Sequence, residues 1–518
     1  MGLLRRVSRR EVVKTGLASA GLMVASAAGL LGSESEPGRG EPIRLEVDPD
    51  RTVVEPFLGL GVQWDPFDRY QPSAEDWAII CERMAYCRPG FLRVMGSASA
   101  YCLGFGSDGE PRYVWKEGTP EQKARLERLC DILRWAQSHR VDVILGEWGP
   151  PRGLVGEQTD PRWPRIIAGC LEYLRKERGF KVVRYYNLIN EPNGDWSGNR
   201  DYPTWRDCIR GLHQELARAG LSKQVAIIGP DTTGSTGWME PFEWLDRCVR
   251  DLPEEVGVWD LHWYALDPEV LKGDIERVLA EKRRMLEAAG PSALRKPRIL
   301  GESGMLTGRV NGDQQPRVRS FEYGVMMADY VAQVARAGWQ GATAWDLDDA
   351  MHLVNGRHAP DPPDDLTLKV WGFWNSQGAR MGRPEEMALR PWYYTWSLFS
   401  RLFPSRSRIV AVTGPDAPRV RAVAGARRLG GRDELTLMLV NNSNARQGAA
   451  IRVRGGFRKA DLTTYHYFET DRPADAKGYP KAKQVLRAAD LSHGLDLELP
   501  TRGVLFLTTA AEEKGRTG

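Results

Sequence analysis

Tyr185-Tyr186-Asn187-Leu188-Ile189-Asn190-Glu191-Pro192 reads as a buried apolar strand that stops abruptly at an amide, a carboxylate and a proline. A second ending of the same kind follows in Pro297-Arg298-Ile299-Leu300-Gly301-Glu302-Ser303-Gly304. In a sheet of parallel strands the C-terminal tips face one crevice, and α/β folds keep their chemistry there. Two acids at two such tips predict one site with a pair of facing carboxylates.

The chain around these endings repeats a short apolar run, a turn and an amphipathic helical stretch from residue 57 to about residue 350. The runs are Phe57–Trp64, Gly90–Gly96, Val141–Trp148, Val182–Asn190, Gln224–Gly229, Val256–Tyr264, Arg298–Glu302 and Gly341–Asp346. Helical patterns with apolar residues three and four apart lie between them, among them Gln122–Ser138, Arg165–Arg178, Tyr202–Ala219, Asp274–Ala289 and Phe321–Ala337. Runs without polar alternation imply strands covered on both faces, as in a parallel sheet. Eight such units predict a closed (β/α)8 barrel. The competing fold is an open doubly wound sheet. Its dinucleotide fingerprint is missing, since Gly59-Leu60-Gly61 lacks the third glycine.

After residue 390 short Val/Leu/Thr-rich runs replace the helical patterns, as in Ser407–Thr413, Glu434–Val440 and Val504–Thr508, with turn segments such as Asn441-Asn442-Ser443-Asn444. This texture predicts a β-sandwich. The expected division is a leader at 1–40, a barrel at 41–390 and a sandwich at 391–512, with Ile43–Val47 as a candidate extra strand of the sandwich. Ser8-Arg9-Arg10-Glu11-Val12-Val13-Lys14 and the mildly apolar run after it match a twin-arginine export signal, which implies a periplasmic or extracellular protein. The run is too short and weak for a membrane span.

The composition is ordinary for a soluble protein of 518 residues, with 27% charged residues and a net charge of +4. Basic and acidic residues are interspersed, which gives no sign of a nucleic acid partner. The seven cysteines form no CxxC pair or zinc spacing, and one disulfide among Cys81, Cys87 and Cys102 stays open. The seven histidines include no HxH or HExxH arrangement, so no metal and no other cofactor is signalled. Neither Ser235 nor Ser303 lies in a GxSxG elbow. Eighteen tryptophans are unusual. Core filling accounts for many of them, but Trp64, Trp148, Trp263 and Trp345 fall at expected strand ends, where an exposed indole makes a platform for a sugar ring.

A facing carboxylate pair is the apparatus that splits a glycosidic bond, one acid donating a proton and the other acting as nucleophile or base. Glu191 and Glu302 take these two roles, and they must differ in proton affinity. Asn190 is suited to bind a sugar 2-hydroxyl. Arg93, a charge inside the apolar run Phe91-Leu92-Arg93-Val94, belongs near the second strand's end, paired with Glu302 or with a structural acid.

Asn190-Glu191 on the fourth run and Glu302 on the seventh resemble clan A of the glycoside hydrolases, retaining (β/α)8 enzymes whose fourth strand ends in the Asn-Glu of the acid/base and whose seventh carries the nucleophile. The likeness covers residues 55–350 through short motifs. It implies a retaining enzyme acting on β-type bonds of oligo- or polysaccharides, with Arg93 beside the nucleophile, Tyr264 hydrogen bonded to it and Trp345 under the reacting sugar. His262, on the same side of its strand as Tyr264, is a candidate for the site or for the core. Glu147-Trp148 and Gln63-Trp64-Asp65 are candidate ligands for hydroxyl groups, and Glu147 is the rival acid at a strand tip. Asp346, Asp348 and Asp349 bind sugar or cap the following loop, and His358–Lys369 is a candidate substrate-shaping loop. The competing class is a carbohydrate-binding protein on an inactive barrel. An aldolase or isomerase would need a Schiff-base lysine or a metal cluster at the strand tips, and neither is seen.

Overall fold

The computed structural model describes residues 41–197, 201–234, 242–414, 420–455, 457 and 459–510. The leader and the expected export signal lie outside the described residues. No helix among the described residues is long and apolar enough to cross a membrane.

β1 (Ile43–Val54) leads into the first barrel strands, β2 (Gly59–Gln63) and β3 (Phe91–Val94). A hairpin of β4 (Cys102–Phe105) and β5 (Pro111–Tyr113) interrupts before β6 (Asp142–Gly146), β7 (Val183–Asn187), β8 (Ala226–Thr233), β9 (Val256–Ala265), β10 (Arg298–Met305) and β11 (Gly341–Ala344). Strands β2, β3 and β6 to β11 close into one parallel barrel in chain order. All eight coincide with the apolar runs of the sequence.

Side chains alternate across each strand, and the inward set forms two layers. The floor is apolar, made by Phe91, Ile144, Ile228, Val258 and Ile299 with Tyr185 against them. A β-carbon on Gly61 or Gly341 would come within 2.5 or 2.8 Å of the Phe91 ring, so these glycines give the floor its room. The next inward position on β3 and β9 is Arg93 and Asp260, both fully buried. Polar groups therefore begin one layer above the floor, toward the C-terminal mouth.

The second region is a nine-stranded sheet made by β1, β12 (Arg408–Thr413), β13 (Val420–Leu429), β14 (Arg432–Asn441), β15 (Gln447–Val453), β16 (Ala460–Tyr467), β17 (Gln484–Ala489), β18 (Leu495–Leu499) and β19 (Gly503–Thr508). β17 and β18 are its opposite edges, yet only residues 490–494 separate them in the chain. A flat nine-stranded sheet would be about 38 Å wide. Six Cα steps reach only about 20 Å. The sheet is therefore rolled, and one face encloses a core of Leu45, Val47, Ala424, Leu437, Ile451 and Leu507. The alternate residues Val423, Met438, Val440, Tyr465, Tyr467 and Phe506 join the barrel's core on the other face. Tyr467 donates to Phe321 O at 2.9 Å, and Arg421 pairs with buried Asp329.

β1 pairs with β12 and β15, which puts Ile43–Val47 in this sheet. The expected boundary at residue 390 falls before a helix, Pro391–Leu402, whose Trp392, Tyr393, Trp396 and Phe399 pack in the barrel core. The all-β region starts after this helix. The disulfide left open among Cys81, Cys87 and Cys102 is not formed, and all seven cysteines are free thiols.

Candidate active site

Arg93 is the centre of the polar layer. β2 and β3 pair Gln63 with Arg93, and the guanidinium reaches across the barrel from there. Its Nη1 donates to Glu302 Oε1 at 2.6 Å and to Gln63 Oε1 at 3.0 Å. Its Nη2 donates to Asn190 Oδ1 at 2.6 Å and to Asp231 Oδ2 at 3.2 Å. One planar cation thus ties together strands one, four, five and seven of the barrel. The contact to Asn190 occupies the amide oxygen and leaves the amide NH2 to donate into the crevice.

Glu302 stands beside His262 in the register of β10 and β9. Its Oε2 accepts the Tyr264 hydroxyl at 2.5 Å. Trp371 backs that tyrosine edge-on, 5.3 Å between ring centroids. Burial pushes the Glu302 carboxyl above its ordinary range, while His262, Arg93 and the Tyr264 hydrogen bond act the other way.

Glu191 follows the end of β7 with φ 45°, in the left-handed region where a side chain is strained, and Gly194 N closes the turn onto its carbonyl at 2.9 Å. Its Oε1 lies 3.1 Å from His262 Nδ1. Donor atoms of Glu191, His262 and Glu302 all lie within 4.8 Å of one another. Both acids remain slightly open, 8% exposed for Glu191 and 4% for Glu302.

No motif in the sequence marks Asp231. β8 continues through Gly229-Pro230, a pair that reads as a strand breaker, by a register shift between Pro230 and Thr232. This turns Asp231 into the site at φ 58°. Its Oδ1 lies 3.0 Å from His262 Nε2, and its Oδ2 accepts from Asn187 Nδ2 at 2.7 Å and from Glu191 N at 3.3 Å. Burial alone would raise this carboxyl, but His262 and Arg93 hold it well below the usual range. Its neighbour Asp260 is pushed well up by burial and by Asp231. For His262 burial disfavours the charge, yet Asp231 and Glu302 overcome this and push the imidazole up.

The mouth has an aromatic wall. His352 stacks parallel to Trp345, 5.5 Å between centroids, and Trp148 stands edge-on to both. Trp148 is 39% exposed. His358–Lys369 packs at this rim, where Tyr70 donates to Pro360 O at 2.5 Å and Gln314 to Leu368 O at 2.8 Å. Trp196, five residues beyond Glu191, is 59% exposed. It lies at no strand end, so the sequence pattern does not mark it.

Of the expected ligands, two point out of the barrel and a third is fully engaged. Trp64 is fully buried between barrel and helices, 5.3 Å from Trp77 and from Trp135, because Gln63 takes the inward position beside it. Glu147 follows inward-facing Gly146 and also points out, accepting from Ser99 Oγ at 2.6 Å and Tyr186 Oη at 3.0 Å. Asp65 does sit near the mouth, but both its oxygens are taken, by Gln63, by Met95 N at 2.6 Å and by His352 Nε2 at 2.8 Å. Asp348 and Asp349 brace the loop, through Trp374 Nε1 at 2.8 Å and through Arg390. Among the described residues, two triads could approach a metal ion, Glu191–His262–Glu302 and Asp231–Asp260–His262. The Glu302 and Asp231 oxygens in them already accept from Arg93, Tyr264, Asn187 or His262.

Neither a protein-family model nor a curated protein sequence matches the chain. Solved structures do. A GH30 endoxylanase from Clostridium papyrosolvens superposes with a TM-score of 0.61 at 12% identity, covering 90% of this chain and 100% of that one. The chain has the fold of these glycoside hydrolases. A GH39 enzyme from Xanthomonas axonopodis pv. citri gives 0.60 at 16% identity, over 92% and 99% of the two chains. An alpha-L-arabinofuranosidase from Thermotoga maritima gives 0.61 at 13%, over 90% and 99%.

Proposed function

We propose that this protein is a retaining glycoside hydrolase that cleaves β-type bonds of oligo- or polysaccharides by double displacement. The observation that supports it is the approach of Glu191 and Glu302, whose nearest carboxylate oxygens lie within 4.8 Å. Retention calls for carboxyl groups roughly 5–5.5 Å apart, and inversion for a gap wide enough to hold a water between carboxylate and sugar.

Glu302 attacks the anomeric carbon while Glu191 protonates the departing oxygen. Water then enters, Glu191 takes its proton, and the bond to Glu302 breaks. Arg93 and Tyr264 each hold one oxygen of Glu302, which aims the carboxylate and favours its charged form against the opposing effect of burial. The free NH2 of Asn190 binds the 2-hydroxyl, a contact that strengthens as charge develops at the anomeric carbon. Trp345 and Trp148 wall the reacting sugar. The twin-arginine motif supports export, toward extracellular glycans as substrates.

A screen of aryl glycosides and natural polysaccharides tests this reading. Hydrolysis by the wild type and a loss of orders of magnitude in folded Glu191→Ala and Glu302→Ala support it, and full activity in either variant refutes it.

A further inference from the structure

The His262 imidazole lies between two carboxyl groups, with Nε2 3.0 Å from Asp231 Oδ1 and Nδ1 3.1 Å from Glu191 Oε1. Asp231 is a pure acceptor here. Its other oxygen takes Asn187 Nδ2 at 2.7 Å and Arg93 Nη2 at 3.2 Å, contacts that a protonated carboxyl would weaken. Nε2 must therefore carry a hydrogen.

Nδ1 then has two forms that differ only in where one proton sits along a 3.1 Å line. Either an imidazolium faces a Glu191 carboxylate, or a neutral imidazole accepts from protonated Glu191. Both have the same net charge. The other charged groups that act on the ring are Glu302 on β10, 3.6 Å from Nδ1, and Asp260 on its own strand, while Arg93 on β3 and Tyr264 act through the carboxylates they bind, Asp231 and Glu302.

We propose that Asp231 is a positioning residue for the acid/base, fixing His262 with its hydrogen on Nε2 so that Nδ1 gives and takes back the proton of Glu191. The kinetic consequence rests on the glycosidase reading, whereas the tautomer does not. In the first half-reaction the O–H bond of Glu191 breaks toward the departing oxygen, which receives the electron pair of the broken C–O bond while Glu302 bonds to carbon. In the second half-reaction water loses a proton to Glu191, its oxygen bonds to carbon and Glu302 regains its pair. Between turnovers that proton is shared with His262 Nδ1, so nothing is consumed.

Asp231→Asn makes a sharp test. Arg93 and Asn187 require an acceptor, so the amide oxygen stays on their side and the NH2 faces Nε2. Nε2 must then accept, and the hydrogen moves to Nδ1, where it holds Glu191 ionised. A wrong tautomer of this kind disables an acid/base whose geometry is otherwise intact.

Nitrogen-15 NMR of histidine-labelled protein, with the His262 signals assigned by their loss in His262→Gln, should show Nε2 protonated in the wild type and Nδ1 protonated in Asp231→Asn. With aryl glycosides, Asp231→Asn should cut turnover of the phenyl glycoside by about 100-fold or more, the worth of a general acid. The dinitrophenyl glycoside needs no proton and should lose about tenfold or less. The alkaline limb of the pH profile should move down, and Asp231→Glu should restore part of the rate.

A bare Nε2 in the wild type overturns the proposal, even if Asp231→Asn does not fold. Equal losses for both leaving groups, with the tautomer unchanged, also overturn it. The expected tautomers in a protein that hydrolyses no glycoside would support the Asp231–His262 assignment and sink the glycosidase reading alone.

Discussion

Arg93 and Glu302 meet at 2.6 Å, both side chains buried. The same guanidinium also satisfies Gln63, Asn190 and Asp231, so each of its two Nη atoms donates twice. Lysine offers a point charge that cannot span four acceptors. Arg93→Lys should lower turnover by about 100-fold or more, in line with the loss of preorganised electrostatic support. The acid limb of its pH profile should move up as Glu302 loses its partner. Arg93→Met should cost about 3–5 kcal/mol of stability in denaturant titrations, since it leaves Glu302 and Asp231 buried and unpaired. Near-normal turnover in Arg93→Lys would count against this account.

Glu147 lies at the tip of the third barrel strand, where sequence makes it a rival to Glu191. It faces Ser99 and Tyr186 instead of the crevice. Burial pushes its carboxyl above the ordinary range. Glu147→Gln should fold and keep turnover within about tenfold of the wild type, the loss of a supporting hydrogen bond. A loss as deep as that of Glu191→Ala would return Glu147 to the catalytic pair.

Trp64 and Trp148 separate core from platform. Trp64→Ala should lower stability by about 3–5 kcal/mol through the cavity it leaves, with KM unchanged in the protein that still folds. Trp148→Ala, at a site 39% exposed, should cost less than about 1 kcal/mol and raise KM several-fold. Thermal unfolding and steady-state kinetics on the two variants check both, and a reversed pattern would move Trp148 out of the site.

His352 gives a pH signature. Burial disfavours its charge, but hydrogen bonds and attraction from Asp65 and Asp68 push the imidazole up to about 10. A group raised in the folded state stabilises fully below its unfolded value, near 6.5, and loses that contribution as pH rises toward the folded value. The stability gap between wild type and His352→Gln should therefore be widest below pH 6.5 and shrink through the window up to about 10. Urea titrations at several pH values measure it. A gap that stays flat or widens with pH would refute the charged Asp65–His352 pair.

Much of the barrel was legible because strands covered on both faces are unbroken apolar runs, and all eight runs became strands. The sites at strand tips were legible only where alternation was respected. Gln63 and Gly146 take the inward positions, which sends Trp64 and Glu147 outward. Asp231 was illegible because Gly229-Pro230 reads as a stop, although a bulge carries β8 past it. The helix Pro391–Leu402 was missed for a different reason: it is buried on nearly every side and shows no polar stripe. β17 and β18 are largely exposed sheet edges interrupted by Gln484, Arg487, Asp496 and Glu498, and so they lack the apolar run that marks a covered strand.

The most direct test is the product formed by Glu302→Ala in sodium azide with an activated aryl β-glycoside. The account predicts that azide restores turnover and yields the α-glycosyl azide, since the anion fills the space left by the carboxylate and attacks the face that Glu302 would have used. Under the same conditions Glu191→Ala should yield the β-glycosyl azide. No rescue in either variant, or the two anomers in the opposite order, would contradict the assignment of Glu302 as nucleophile and Glu191 as acid/base.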